Sequence, residues 1–224
     1  MGVPTVPLFP LRTVLVPGLV LPLHIFEPRY RLMVQMLDGA PEDERGFGIV
    51  AIRPGADPEA DALGALYEVG TMARVTKVDS LPDGRYDLVT VGARRFTIDS
   101  IDHAMPYARA EVRLHPEPIG DPTRVPALVR TATRLLAQYR SLIAGWGVID
   151  MARIEHLPED PVVLSYLVVS AIVTDVPQRQ RMLGIPDAEN RLAAACDVLR
   201  REIAVMSSLP SMPAVDLASP RWSN

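Results

Sequence analysis

The pattern of apolar and polar positions changes its period near residue 118. Before that point, short apolar runs are separated by prolines, glycines and polar clusters; after it, apolar side chains recur every three or four residues. Residues 5–11, Thr-Val-Pro-Leu-Phe-Pro-Leu, form a ladder-competent run punctuated by prolines, which predicts short strands with irregular corners. Residues 19–25 continue in the same style. Pro22 assigns that strand to an edge, an end or a bulge, because proline has no N–H to give to a ladder. Glu27-Pro28 opens a helix with Pro28 in its first position; Tyr30, Met33, Val34 and Leu37 fall at helical spacing, and Asp38-Gly39 stops it. Residues 40–45 read as polar loop, 47–52 as a strand and 53–64 as loop. Strands follow at 67–78 and 86–91. The Asp83-Gly84 pair between them predicts a hairpin whose turn takes positive φ at both central positions. Residues 96–101 and 107–114 supply two further strands, the second alternating through Ala108, Ala110, Val112 and Leu114.

In the second part Val125, Leu128, Val129, Ala132, Leu136, Tyr139 and Ile143 trace one helical face. Pro126 is acceptable only in a first turn, so this helix is expected to begin near Thr123 and to end at Gly145 or Gly147. Asp160-Pro161 is a capping carboxylate followed by proline, and the helix it opens, expected to reach Thr174, is apolar nearly all round, as in the buried centre of a bundle. Residues 177–183 make a short helix closed by Gly184. Asp187 caps a last one, with a stripe of Leu192, Ala195, Cys196, Leu199, Ile203 and Met206. Serine and proline dominate 207–224, which reads as a tail that is mobile or lies along the surface.

Composition narrows the class. With 224 residues, 48% hydrophobic and 22% charged, the chain has the make-up of a globular protein. No apolar run approaches the roughly 20 residues that span a bilayer. Prolines at 4, 7, 10 and 17, with Arg12 among them, break up any secretory leader, so a cytoplasmic location is expected. The single cysteine, Cys196, excludes an intrachain disulfide and falls on an apolar stripe, the setting of an unreactive thiol.

Several ordered blocks carry a family likeness. Val6-Pro7-Leu8-Phe9-Pro10-Leu11, Leu15-Val16-Pro17-Gly18 and Leu21-Pro22-Leu23-His24-Ile25-Phe26-Glu27-Pro28-Arg29-Tyr30 resemble the opening of the N-terminal, substrate-binding domain of the ATP-dependent Lon protease. Tyr67-Glu68-Val69-Gly70-Thr71-Met72-Ala73-Arg74-Val75, the Leu81-Pro82-Asp83-Gly84 turn, Val91-Gly92-Ala93-Arg94-Arg95-Phe96 and Pro106-Tyr107-Ala108-Arg109-Ala110-Glu111-Val112 are similar to the same domain in the same order. Leu164-Ser165-Tyr166-Leu167 fits the helical extension that follows it. The resemblance covers about residues 4–206. It implies an α+β fold: a PUA-like β pseudobarrel with one short helix over residues 1–118, then a C-terminal α-helical bundle over 119–206. It also implies recognition of unfolded or specific client proteins, on which a separate ATPase or protease could act in trans.

The family's catalysis is not expected here, and the chain reads as a stand-alone version of that domain. A phosphate-binding loop needs Gly-x4-Gly-Lys-Ser/Thr, whose amides and lysine hold the phosphates. The only lysine, Lys77, sits in Thr-Lys-Val with no such glycine, and its strand context does not suit the base of a Ser-Lys dyad. No Gly-x-Ser-x-Gly is present, which leaves an uncharacterised hydrolase as a distant alternative. His24, His103, His115 and His156 lack HExxH or Cys-x2-Cys company, so neither a metal nor another cofactor is expected. Glu42, Asp43 and Glu44 read as a solvated loop.

Two surfaces remain as candidates. For a peptide or protein partner they are Phe26, Glu27, Arg29, Tyr30, Arg31 and Met33, an apolar cleft rimmed by charge; against that stands the ordinary use of Tyr30 and Met33 as core and of Glu27 with Arg29 as a structural pair. For RNA, the runner-up, they are Arg94, Arg95 and Phe96. Residues 1–118 carry 12 basic and 16 acidic side chains, the wrong sign for a domain that neutralises phosphates. Nothing in the sequence sets the oligomeric state.

Overall fold

The computed structural model describes residues 4–39, 41, 45–57, 62–145 and 157–208. The expected tail beyond Ser208, the acidic run at 42–44, the helix end at Gly147 and His156 lie outside them. The fold is α+β. Strands β1 (Thr5–Leu11), β2 (Val20–Ile25), β3 (Gly46–Ala51), β4 (Val69–Ser80), β5 (Tyr86–Asp102) and β6 (Arg109–Leu114) form one mixed sheet in the order β2-β5-β4-β3-β1-β6. A second pairing of β6 with β5 closes β5, β4, β3, β1 and β6 into a ring, with β2 attached outside it. Among the described strand pairs, β1 and β3 alone run parallel. As its Pro22 requires, β2 is an edge, paired with β5 alone.

Two expectations about the strands need correction. Residues 86–91 and 96–101 belong to one 17-residue strand, β5, whose first half pairs with β2 and whose second half pairs with β6. Gly92, between the two expected runs, is needed within it because a Cβ there would stand 2.3 Å from the Val16 carbonyl oxygen. The hairpin forms, but with another turn. Gly84 N–H donates to Leu81 O at 2.9 Å, so the central pair is Pro82 and Asp83, and the positive φ of +80° falls one residue later, at Gly84. Proline's fixed negative φ forbids the mirror-image turn and selects a three-residue loop with its left-handed residue last.

Helix α1 (Pro28–Asp38) connects β2 to β3 and turns Tyr30, Met33 and Val34 inward; a single turn, α2 (Ala62–Ala65), interrupts the expected 53–64 loop. The bundle comprises α3 (Val125–Gly145), α4 (Pro161–Ala171), α5 (Val176–Gly184) and α6 (Ala188–Ser208). Asp160 caps α4 by accepting from the N–H groups of Val162 and Val163. That helix stops at Ala171, short of Thr174, because 172–174 is used as an extended link: Val173 N–H donates to the Tyr139 hydroxyl at 3.1 Å, and Asp175 is thereby placed to cap α5. Leu192, Ala195, Cys196, Leu199 and Ile203 are buried as their stripe predicts, and burial pushes the Cys196 thiol pKa up, away from reactivity.

The sheet and the bundle share a core, in which Val14, Val16 and Ala51 pack with helix residues such as Leu136, Tyr139 and Leu164. Beside it lies a buried ion cluster. Arg95, 1% exposed, donates from Nε to Glu117 Oε1 at 2.7 Å and from its terminal nitrogens to the carbonyls of Leu183, Ile185 and Pro186. Arg191 donates to Ser165 Oγ and to Ile185 O, lies 3.4 Å from Glu117 Oε2 and stacks over the Tyr166 ring with 3.8 Å to its centroid. The Tyr166 hydroxyl donates to Glu117 Oε2 at 2.7 Å; burial first, and that bond second, raise its pKa. One carboxylate thus joins a strand of the ring to two helices.

His115, next to this cluster, approaches Thr97 Oγ1 at 2.7 Å, and its pKa is pushed below 6.5 by burial and by the charges of Arg95 and Arg113, against the pull of Glu117. The folded state therefore binds a proton less readily than the unfolded chain. Above the unfolded value the imidazole is neutral in both states; as pH falls through about 6.5, stability is lost until the folded pKa is passed. Thermal midpoints measured from pH 7.5 to 5 should fall less steeply for His115→Gln than for the wild type.

Candidate partner-binding cleft

A cleft of roughly 990 Å³ opens between the start of α1, the end of β1 and the segment that joins β5 to β6. Its inner wall is aromatic because alternate residues of β1 and the first turn of α1 face each other: Phe9 and Tyr30 meet with ring centroids 4.4 Å apart, and Phe9 continues onto Phe47 at 5.7 Å. The Arg29 guanidinium lies 4.9 Å from the Tyr30 centroid and donates from Nε to Glu27 Oε2 at 2.9 Å. Glu27 is the N-cap of α1 by backbone position, yet its side chain makes no capping bond and serves Arg29 instead. Phe26, 61% exposed, stands at the mouth beside His24, with ring centroids 6.2 Å apart. The His24 ring is held by Asp87 through Nδ1 at 2.7 Å and by Arg85 through Nε2 at 3.1 Å.

Of the six residues singled out for a partner, the structure brings Phe26, Glu27, Arg29 and Tyr30 together in the lining. Arg31 points elsewhere, its guanidinium lying against Gly84 of the hairpin, and Met33 is fully buried in the core under α1. The opposite wall, Phe9 to Arg12 and His103, Met105, Pro106 and Tyr107, has no counterpart among the sequence candidates. It forms because β1 pairs with β6 at Pro7–Arg109 and Leu8 N–H donates to Ala108 O, which lays 105–108 beside 9–12. The run Met-Pro-Tyr in a loop was its only local signal.

The residues considered for RNA are separated by the fold. Arg94 is exposed and donates to His115 O, whereas Arg95 and Phe96 are buried, Arg95 in the ion cluster and Phe96 inside the ring. No base or phosphate reaches those two side chains. Among the described residues, no three of His, Cys, Asp and Glu lie close enough to hold a metal ion, and no helix is long and apolar enough to cross a membrane.

A closed mixed sheet fused to a helical bundle, with an open cleft on the sheet's flank, defines the class of fold. Residues 5–201 match the sequence model of the ATP-dependent protease La (LON) substrate-binding domain, and the chain belongs to that family. It is 28% identical over 200 residues to Lon protease 2 of Syntrophobacter fumaroxidans, covering 88% of this chain and 24% of that protein. Lon protease 2 of Sorangium cellulosum is 30% identical over 208 residues, with 90% and 25% covered. The chain thus spans about a quarter of the length of the curated relatives it matches. Among solved structures, a Lon N-terminal domain protein from Xanthomonas campestris superposes with TM-score 0.60 at 22% identity, covering 85% of this chain and 95% of that one. The N-terminal domain of Mycobacterium avium complex Lon protease gives 0.64 at 20% identity, covering 88% and 98%. These likenesses support the fold.

Proposed function

We propose that the protein is a non-catalytic recognition module whose cleft beside α1 takes up exposed apolar segments of other polypeptides. The observation that carries this reading is Phe26, a large aromatic side chain left 61% exposed at the mouth of a cleft whose inner wall is already aromatic. A solvent-facing phenyl ring beside apolar walls is an anchor for a partner, and aromatic anchors carry much of the energy of such contacts. Membership of a substrate-binding family supports the same reading. The module would present what it binds to an ATPase or protease and break no bond itself.

Phe26→Asp should weaken binding of a reduced, carboxymethylated model polypeptide by about 10-fold or more, the scale of a hot-spot truncation. Because Phe26 is exposed, the thermal midpoint should not move. Fluorescence anisotropy checks the first and calorimetry the second; unchanged affinity would remove Phe26 from the binding surface.

A further inference from the structure

Among the described residues, the charged and imidazole side chains that line the cleft are Arg12, His24, Glu27, Arg29, Asp57 and His103. Most are engaged. Glu27 and Arg29 pair with each other, His24 is held between Asp87 and Arg85, and Asp57 has an interaction of its own. Arg12, directly after β1, and His103, directly after β5, are exposed and make no hydrogen bond or ion pair among the described residues. Both stand on the wall opposite α1, flanking the apolar stretch of Phe9, Met105 and Tyr107.

An apolar segment seated in this cleft would strip water from the Arg12 guanidinium and return nothing to it, which is costly. A carboxylate on the same segment replaces that water with charge-assisted, two-pronged hydrogen bonds, a geometry that guanidinium suits better than ammonium does. A lysine in its place would meet a like charge.

We propose that the cleft selects, among apolar polypeptide segments, those with an aspartate or glutamate next to a large apolar side chain: Arg12 receives the carboxylate, His103 adds a second donor, and the apolar side chain lies against Phe9, Phe26 and Tyr30. This rests on the peptide-binding reading above and names its substrate class.

The test compares three fluorescein-labelled peptides with one Leu-Phe-Leu core flanked by Asp, by Asn or by Lys, titrated by anisotropy at low and at physiological salt. In the wild type the Asp peptide should bind about 3- to 10-fold tighter than the Asn peptide, the Lys peptide should be weakest, and the spread should shrink as salt rises. Arg12→Gln should abolish the Asp preference, so that the Asp and Asn peptides bind alike; Arg12→Glu should transfer the preference to Lys. Arg12 is exposed, so circular dichroism should be identical for all three proteins. Equal binding of Asp and Asn peptides, or a preference that survives Arg12→Gln, overturns this inference and leaves the peptide-binding reading standing. Failure of every peptide to bind overturns both.

Discussion

Replacing Glu117 by glutamine is expected to destabilise the protein by about 3–5 kcal/mol, the cost of breaking a buried ion pair from one side. The exchange is nearly isosteric, so packing is preserved. What changes is the charge that two buried guanidiniums and a phenol share: Arg95 keeps its four carbonyl acceptors, but Arg191, whose pKa burial already depresses, keeps only Ser165, one carbonyl and its stack on the Tyr166 ring. Two cations would then face each other across a neutral amide. Urea unfolding monitored by circular dichroism gives the number. Replacing Arg95, Glu117 and Arg191 together by methionine and leucine should cost less than the summed single changes, because no charge is then left unpaired. Arg94→Gln, one position away but exposed, should stay within about 0.5 kcal/mol. Equal effects at 94 and 95 would contradict the assignment of Arg95 to the joint between sheet and bundle.

Phe96→Ala should cost about 3–5 kcal/mol through a different mechanism, a cavity in a core that cannot collapse into it. The ring fills the inside of the strand ring against Leu8, Val50, Ala110 and Val112. It also lies over Gly48 and Gly70, where a Cβ would come within 2.8 and 2.4 Å of the ring's Cζ. Those glycines exist to admit the ring and have no side chains to fill the void it leaves. Gly48→Ala should therefore be destabilising alone and less so in the Phe96→Ala background, a coupling that a double-mutant cycle measures. Additive effects would mean that ring and glycine do not share the space.

Helices α1, α4 and α6 were legible because each carries its own punctuation: Pro28, Asp160-Pro161 and Asp187 stand where the structure begins a helix, whereas the single turn α2 and the Asp175 cap of α5 went unread. The edge role of β2 followed from the donor that Pro22 lacks. Less legible was anything set by a distant partner. Arg94-Arg95 inside β5 stood as an RNA-binding candidate, because the carboxylate and carbonyls that satisfy Arg95 lie 21 to 91 positions further along the chain. Half of the cleft was visible from Phe26 to Tyr30 for its mixture of aromatic and charged residues. The other half depends on the β1–β6 pairing, which brings 103–108 beside 9–12 and which no local pattern encodes. Arg31 and Met33 were grouped with Phe26 to Tyr30 by proximity in sequence, whereas the helix turns one toward the hairpin and the other into the core.

Hydrogen exchange of the whole protein, with and without a saturating unfolded polypeptide, asks directly whether the cleft is where partners bind. Slowed exchange confined to residues 9–12, 23–30 and 103–108 is the expected result. Slowing on α3 to α6 with none at these three segments, or no slowing at saturation, would place the partner surface elsewhere.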